Sequence, residues 1–108
     1  MSNLYFIENM GCDDSTHGLA RISDEDFPKF KEIIENLNKN SRYGCMPTIE
    51  VYRINENDVR EVSYNPNSEW GDPDYIDPDD VFYMDGKTYT LAEGVYEGEI
   101  YRNREKVI

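Results

Sequence analysis

Eight consecutive residues, Gly11-Cys12-Asp13-Asp14-Ser15-Thr16-His17-Gly18, bring together the side chains of nucleophilic catalysis. A Cys12 thiol giving its proton to His17, with an aspartate orienting the imidazole, would be a cysteine-enzyme arrangement. The acids beside Cys12 work against it. Asp13 and Asp14 raise the thiol pKa and suppress the thiolate. Zinc would draw on Cys12, Cys45 and His17 plus a fourth ligand, but the chain has neither C-x-x-C nor H-x-x-x-H spacing. The stretch is therefore read as a turn-rich loop with a small, partly buried Cys12 and a surface His17. The chain as a whole is read as non-enzymatic, with no catalytic residue, no metal and no cofactor.

A second concentration of reactive groups is purely acidic. Between Arg60 and Lys87 there is no basic residue, and the interval holds eight acids: Glu61, Glu69, Asp72, Asp74, Asp77, Asp79, Asp80 and Asp85. Its centre, Glu69 to Asp80, contains Asp-Pro-Asp twice with Tyr75 and Ile76 between. Prolines are expected to hold this segment extended, so that acids two apart stand roughly 6–7 Å from one another. Successive phosphates along a nucleic-acid strand have a comparable spacing. Trp70, Tyr75 and Tyr83 would add aromatic anchors. Three uses compete for the segment. It is a solvated loop that keeps a small protein soluble, a docking surface for a basic protein, or a calcium site. The Asp-x-Asp spacing suits oxygen ligands, but the EF-hand order of Gly at the sixth and Glu at the twelfth position is absent.

The whole-chain arithmetic narrows the partners. In 108 residues there are 23 acids and 11 bases, for a net charge of −12. That balance excludes direct binding to nucleic acid or to an anionic membrane, because like charges repel. No apolar run reaches the 18 or so residues of a bilayer span. The N-terminus lacks the basic and long apolar regions of a signal peptide. Only two cysteines occur, 33 positions apart. Cytoplasmic localisation with two free thiols is expected, one disulfide between them being the alternative.

These groups need elements to position them. With 38% hydrophobic residues the chain can build a small core. Leu4 to Glu8 is expected to be a strand and Asn9 to Arg21 a loop. Phe27, Phe30, Ile33, Ile34 and Leu37 recur at helical spacing. Ser23, Asp24 or Asp26 is expected to cap that helix, with Pro28 in its first turn and Asn38 to Ser41 at its end. Thr48–Ile54 and Val59–Tyr64 read as a hairpin closed by Asn55-Glu56-Asn57-Asp58. An irregular loop at about 65–80 follows. Val81–Met84 and Lys87–Leu91 flank Asp85-Gly86, a type I′ signal. Val95–Tyr101 reads as a last strand and Arg102–Lys106 as a basic tail. The expectation is one α+β domain over 1–108, with one helix packed on an antiparallel sheet of about five or six strands. Most of the nine tyrosines fall on those strands, where cross-strand packing is the expected use.

In its acidic Asp-Pro-Asp segment, small size and single helix on a sheet, the chain resembles small acidic early proteins of bacteriophages. These include DNA mimics that inhibit uracil-DNA glycosylase or the histone-like protein HU, and several anti-CRISPR proteins. The resemblance is in composition and layout, and no motif matches residue by residue. The basic tail and mixed-charge helix depart from the most extreme mimics. It implies an inhibitor that occludes the basic, nucleic-acid-binding surface of a host protein. Glu69, Trp70, Asp72, Asp74, Tyr75, Asp77, Asp79 and Asp80 would be the contact residues. The alternatives are a purely structural or accessory phage protein, and a binder or sponge for a small molecule such as a nucleotide. The nucleotide reading needs Arg42, Arg53 or Arg60 in a pocket.

Overall fold

The computed structural model describes residues 1–10, 15–39 and 48–108. Cys12, Arg42 and Cys45, with the thiol, disulfide and zinc readings made of them, lie outside the described residues. In the described chain the alternation of the first strand decides the layering. Leu4-Tyr5-Phe6-Ile7 has no polar residue to give to solvent, and successive strand residues point to opposite faces. Both faces of this strand must therefore be covered.

The strand, β1 (Ser2–Met10), is central in a four-stranded antiparallel sheet. The order is β2 (Ser15–Ser23), β1, β3 (Thr48–Ile54), β7 (Glu105–Lys106). On one face Tyr5 and Val51 meet Ile34 of helix α1 (Phe27–Lys39), with Phe27 and Phe30 beside them. On the other, Leu4, Phe6, Leu19, Tyr52 and Ile54 form the main core with Phe82, Met84 and Ile100. Those three residues come from a second sheet, β4 (Val59–Glu61), β6 (Lys87–Leu91) and β5 (Phe82–Met84), and from helix α2 (Glu97–Asn103). The second sheet is also antiparallel, in the order β4-β6-β5. The class is α+β with a helix packed on sheet. No helix among the described residues is long and apolar enough to cross a membrane.

Several elements follow the local chemistry. Asp26 ends a turn whose N–H donates to Ser23 Oγ, and its carbonyl accepts from Phe30, so α1 starts at Phe27 with Pro28 in the first turn. Asp85 and Gly86 have φ of 54° and 75°, the two left-handed residues a type I′ hairpin requires.

Other elements differ from the expectation. Residues 15–23 are not loop. They form β2, paired with β1 from Ser23 opposite Ser2 to Ser15 opposite Met10. Long-range pairing with an apolar strand overrides the weak local propensity of Thr16-His17-Gly18. β3 and β4 do not form a hairpin. β3 already has β1 and β7 on its two edges, and β4 pairs with β6. The Asn55–Asp58 turn instead carries the chain from one sheet to the other. Residues 95–101 are not a strand either. Ile100 is completely buried against the main core from α2. Acids Glu97 and Glu99 sit in its first turn and Arg102 in its last, which complements the helix dipole. Part of the supposed basic tail is β7, with Lys106 Nζ 2.9 Å from Glu50 Oε2.

Candidate functional site

The acidic segment connects β4 to β5 and is folded by its own side chains. Asn65 Oδ1 accepts the Asn67 N–H, Asp72 Oδ2 accepts the Glu69 N–H, and Asp77 Oδ1 accepts the Asp79 N–H, each at 2.9 Å. Backbone turns close from Asp72 to Glu69, Tyr75 to Asp72 and Asp80 to Asp77. Gly71, at φ 101°, supplies a conformation that a side chain would strain. The segment is thus a chain of tight turns ending in a 3₁₀ turn, Pro78–Asp80, and not the extended ribbon expected. Asx turns win because Asp and Asn carboxyl or amide oxygens reach the N–H two or three residues away. The regular 6–7 Å ladder of acids does not form.

The eight acids separate into two sets. Glu61 faces Lys87 at 3.4 Å and Asp85 faces Arg21 at 3.6 Å. Glu69, Asp72, Asp74, Asp77, Asp79 and Asp80 have no cation within ion-pair distance among the described residues, and all six are exposed. Asp72 and Asp77 are occupied with backbone N–H groups. Glu69, Asp74, Asp79 and Asp80 keep both carboxylate oxygens for solvent or a partner. Trp70 is 88% exposed, and Tyr83 and Tyr96 are 69% exposed. Tyr75 is half-buried. The Tyr64 hydroxyl is pushed above its ordinary pKa by loss of solvation and by Tyr83, Tyr75 and Asp77. Those tyrosines therefore gather beside the acids.

Beneath the loop, Arg60 of β4 and Thr90 of β6 are cross-strand partners. They line a cleft of about 640 Å³ that also reaches Phe82 and Leu91 at the border of the main core. Tyr75, Ile76, Asp77 and Asp80 close it from the loop side, and Tyr96 and Glu97 from the start of α2. A second recess runs from Arg60 to Asp74 on the other side of Tyr75 and Ile76. Thr90 had no signal in the sequence beyond its alternation with Thr88. Arg60 was legible only as one of three arginines that a pocket would need.

His17 is not a surface residue, as the loop reading of its segment made it. Its ring stacks on Phe6 with centroids 5.4 Å apart. Nε2 lies 3.5 Å from Glu8 Oε1 and 3.3 Å from the Tyr101 hydroxyl, while Nδ1 lies 3.5 Å from Glu97 Oε1. Burial, then the Glu8 carboxylate, hold the Tyr101 hydroxyl well above the usual phenol range. This polar group ties the β1–β2 hairpin to α2. Its members lie up to 93 positions apart, so local spacing could not reveal it. No His, Cys, Asp and Glu grouping suited to a metal occurs among the described residues.

Comparison with protein-family models, with curated proteins and with solved structures finds no match to this chain.

Proposed function

We propose that the chain is a protein-binding inhibitor that docks its acidic loop on the basic, nucleic-acid-binding surface of a partner. One observation carries this reading: the six loop acids have no internal cation among the described residues, while the loop bearing them is tied into fixed turns. A loop made only for solubility needs charge but not a backbone held in turns. Acids carried on a pre-ordered backbone lose less freedom on binding, and opposite charge steers the encounter. Trp70, 88% exposed within the loop, supplies the apolar anchor that interfaces commonly use. Of the eight proposed contact residues, Asp72 and Asp77 act by shaping the loop. Glu69, Trp70, Asp74, Asp79 and Asp80 make the contact, and Tyr75 packs beneath. Mimicry of a nucleic-acid strand is then a matter of local clusters of charge, since the turns replace an even spacing. A host cytoplasm and a phage origin are consistent with the same reading and rest on the resemblance in layout.

The test is capture of partners from a bacterial lysate on the immobilised protein at low and high salt. The expected partners are basic, leave at high salt, and lose nucleic-acid binding in a gel-shift assay when the free protein is added. A partner that binds this chain and nucleic acid at the same time would overturn the occlusion mechanism.

A further inference from the structure

The docking reading uses Tyr75, Asp77 and Asp80 from the loop but not the cleft that they close over Arg60 and Thr90. Thr90 is 7% exposed, and its Oγ1 is buried without a hydrogen-bond partner. Thr88, two residues earlier on the same strand face, has its hydroxyl satisfied by the Val62 carbonyl at 2.6 Å. Thr90 lines the cleft, but its hydroxyl oxygen is turned out of reach of solvent and lacks the partner that buried polar groups normally find. Arg60 stands directly opposite, where facing side chains are about 5 Å apart. Its side chain is exposed and makes no ion pair or hydrogen bond among the described residues. A guanidinium fork beside a hydroxyl donor recognises a carboxylate. Phe82, Leu91 and Val95 give the cleft an apolar wall, and Tyr75 and Tyr96 flank it. Asp77, Asp80 and Glu97 line the rim.

The charges choose among ligands. Three carboxylates against one guanidinium repel a phosphate or other dianion, which counts against a nucleotide. They suit a molecule that brings its own cation. We propose that the cleft binds a small zwitterion with an amine, a carboxylate and an apolar or aromatic side chain: a free amino acid, or a dipeptide that carries the two charges at its opposite ends. The carboxylate meets Arg60 and draws the Thr90 hydroxyl round to it by a turn of the Thr90 side chain, the amine faces the rim acids, and the side chain lies on the apolar wall. The volume, about 640 Å³, falls in the usual range for small-molecule clefts.

The experiment is an amide NMR titration of the full chain. The probes are L-phenylalanine, the dipeptide Leu-Phe, 3-phenylpropionate, phenethylamine and inorganic phosphate. Saturable shifts around Arg60, Tyr75–Phe82 and Thr90–Gly98 are expected with phenylalanine or the dipeptide, and the tighter of the two names the source. Removing the amine or the carboxylate should weaken binding about tenfold or more, and phosphate should not compete. Arg60→Gln should weaken the zwitterion by about tenfold, as fits the loss of a charge-assisted hydrogen bond. Thr90→Val keeps the shape and should also weaken it, while raising the melting temperature of the free protein because the orphaned hydroxyl is gone. Absence of saturable shifts at about 10 mM of either zwitterion overturns the proposal. So does binding that Arg60→Gln leaves unchanged. The docking reading is judged on other residues, Glu69, Asp74 and Asp79, so either can fail alone.

Discussion

Asp58 accepts three hydrogen bonds: from Arg104 Nε at 2.8 Å, Arg104 Nη2 at 2.6 Å and the Asn55 N–H at 2.8 Å. It is 4% exposed. The Arg104 bonds, then the one from Asn55, hold its carboxyl below the ordinary carboxylate range against the cost of burial. This one residue joins the turn that switches sheets to the end of α2. Its carbonyl also accepts the Ala92 N–H at 2.8 Å. Asp58→Asn should cost about 1–3 kcal/mol in urea unfolding at neutral pH, because it takes the charged partner from a partly buried guanidinium that keeps only Glu99, at 3.9 Å. The folded pKa lies below that of the unfolded chain. The pair's contribution is therefore fully present above about pH 4 and is lost as pH falls through the folded value. The gap between wild type and Asp58→Asn should narrow in acid; a gap constant down to about pH 2 contradicts the assignment. Tyr52 has the opposite sign. Burial and its hydrogen bond to Glu50 push it up to about 12. Its contribution is present below about pH 10 and is lost as pH rises through the folded value. Tyr52→Phe should flatten that alkaline fall in a thermal melt.

The elements that were legible in the sequence are those whose determinants are local. The helix of α1 follows from Phe27, Phe30, Ile33 and Ile34 at helical spacing, and the β5–β6 hairpin from Asp85-Gly86. Those that were not legible depend on partners far away in the chain. β2 exists because β1 offers it an apolar ladder. β4 leaves β3 because both edges of β3 are taken. Val95 to Tyr101 has apolar residues that suit a strand, and only the pocket for Ile100 decides for a helix. Gly98 tests that decision. A methyl group there would meet Arg102 Nη1 at an ordinary 3.6 Å. Gly98→Ala should stabilise the protein by about 0.5–1 kcal/mol, since alanine is the better helix former. A loss of stability would argue against α2. Gly86→Val should destabilise by about 1–2 kcal/mol, because a β-branched residue resists the left-handed turn. Chemical denaturation reads both.

Across the whole molecule, the net charge of −12 is not spread evenly. Several bases elsewhere are engaged: Arg21 with Glu56 and Asp85, Arg53 with Glu105, Lys106 with Glu50, and Arg104 with Asp58. The loop acids are left with no such partner among the described residues. The sequence located this imbalance, since a base-free interval is visible in the residues alone. It did not show which acids are spent on turns, because an Asx turn depends on backbone path and not on composition. That division sets the decisive measurement. Glu69→Gln, Asp74→Asn and Asp79→Asn together remove three outward charges and leave the turn-forming Asp72 and Asp77, and the cleft-lining Asp80, in place. Affinity of wild type and of this triple variant for a captured basic partner should be titrated across salt concentration. The expected result is at least about tenfold weaker binding at low salt and a shallower salt dependence, with unfolding midpoints unchanged. Equal affinity and equal salt dependence in the two proteins would contradict the acidic loop as the docking surface.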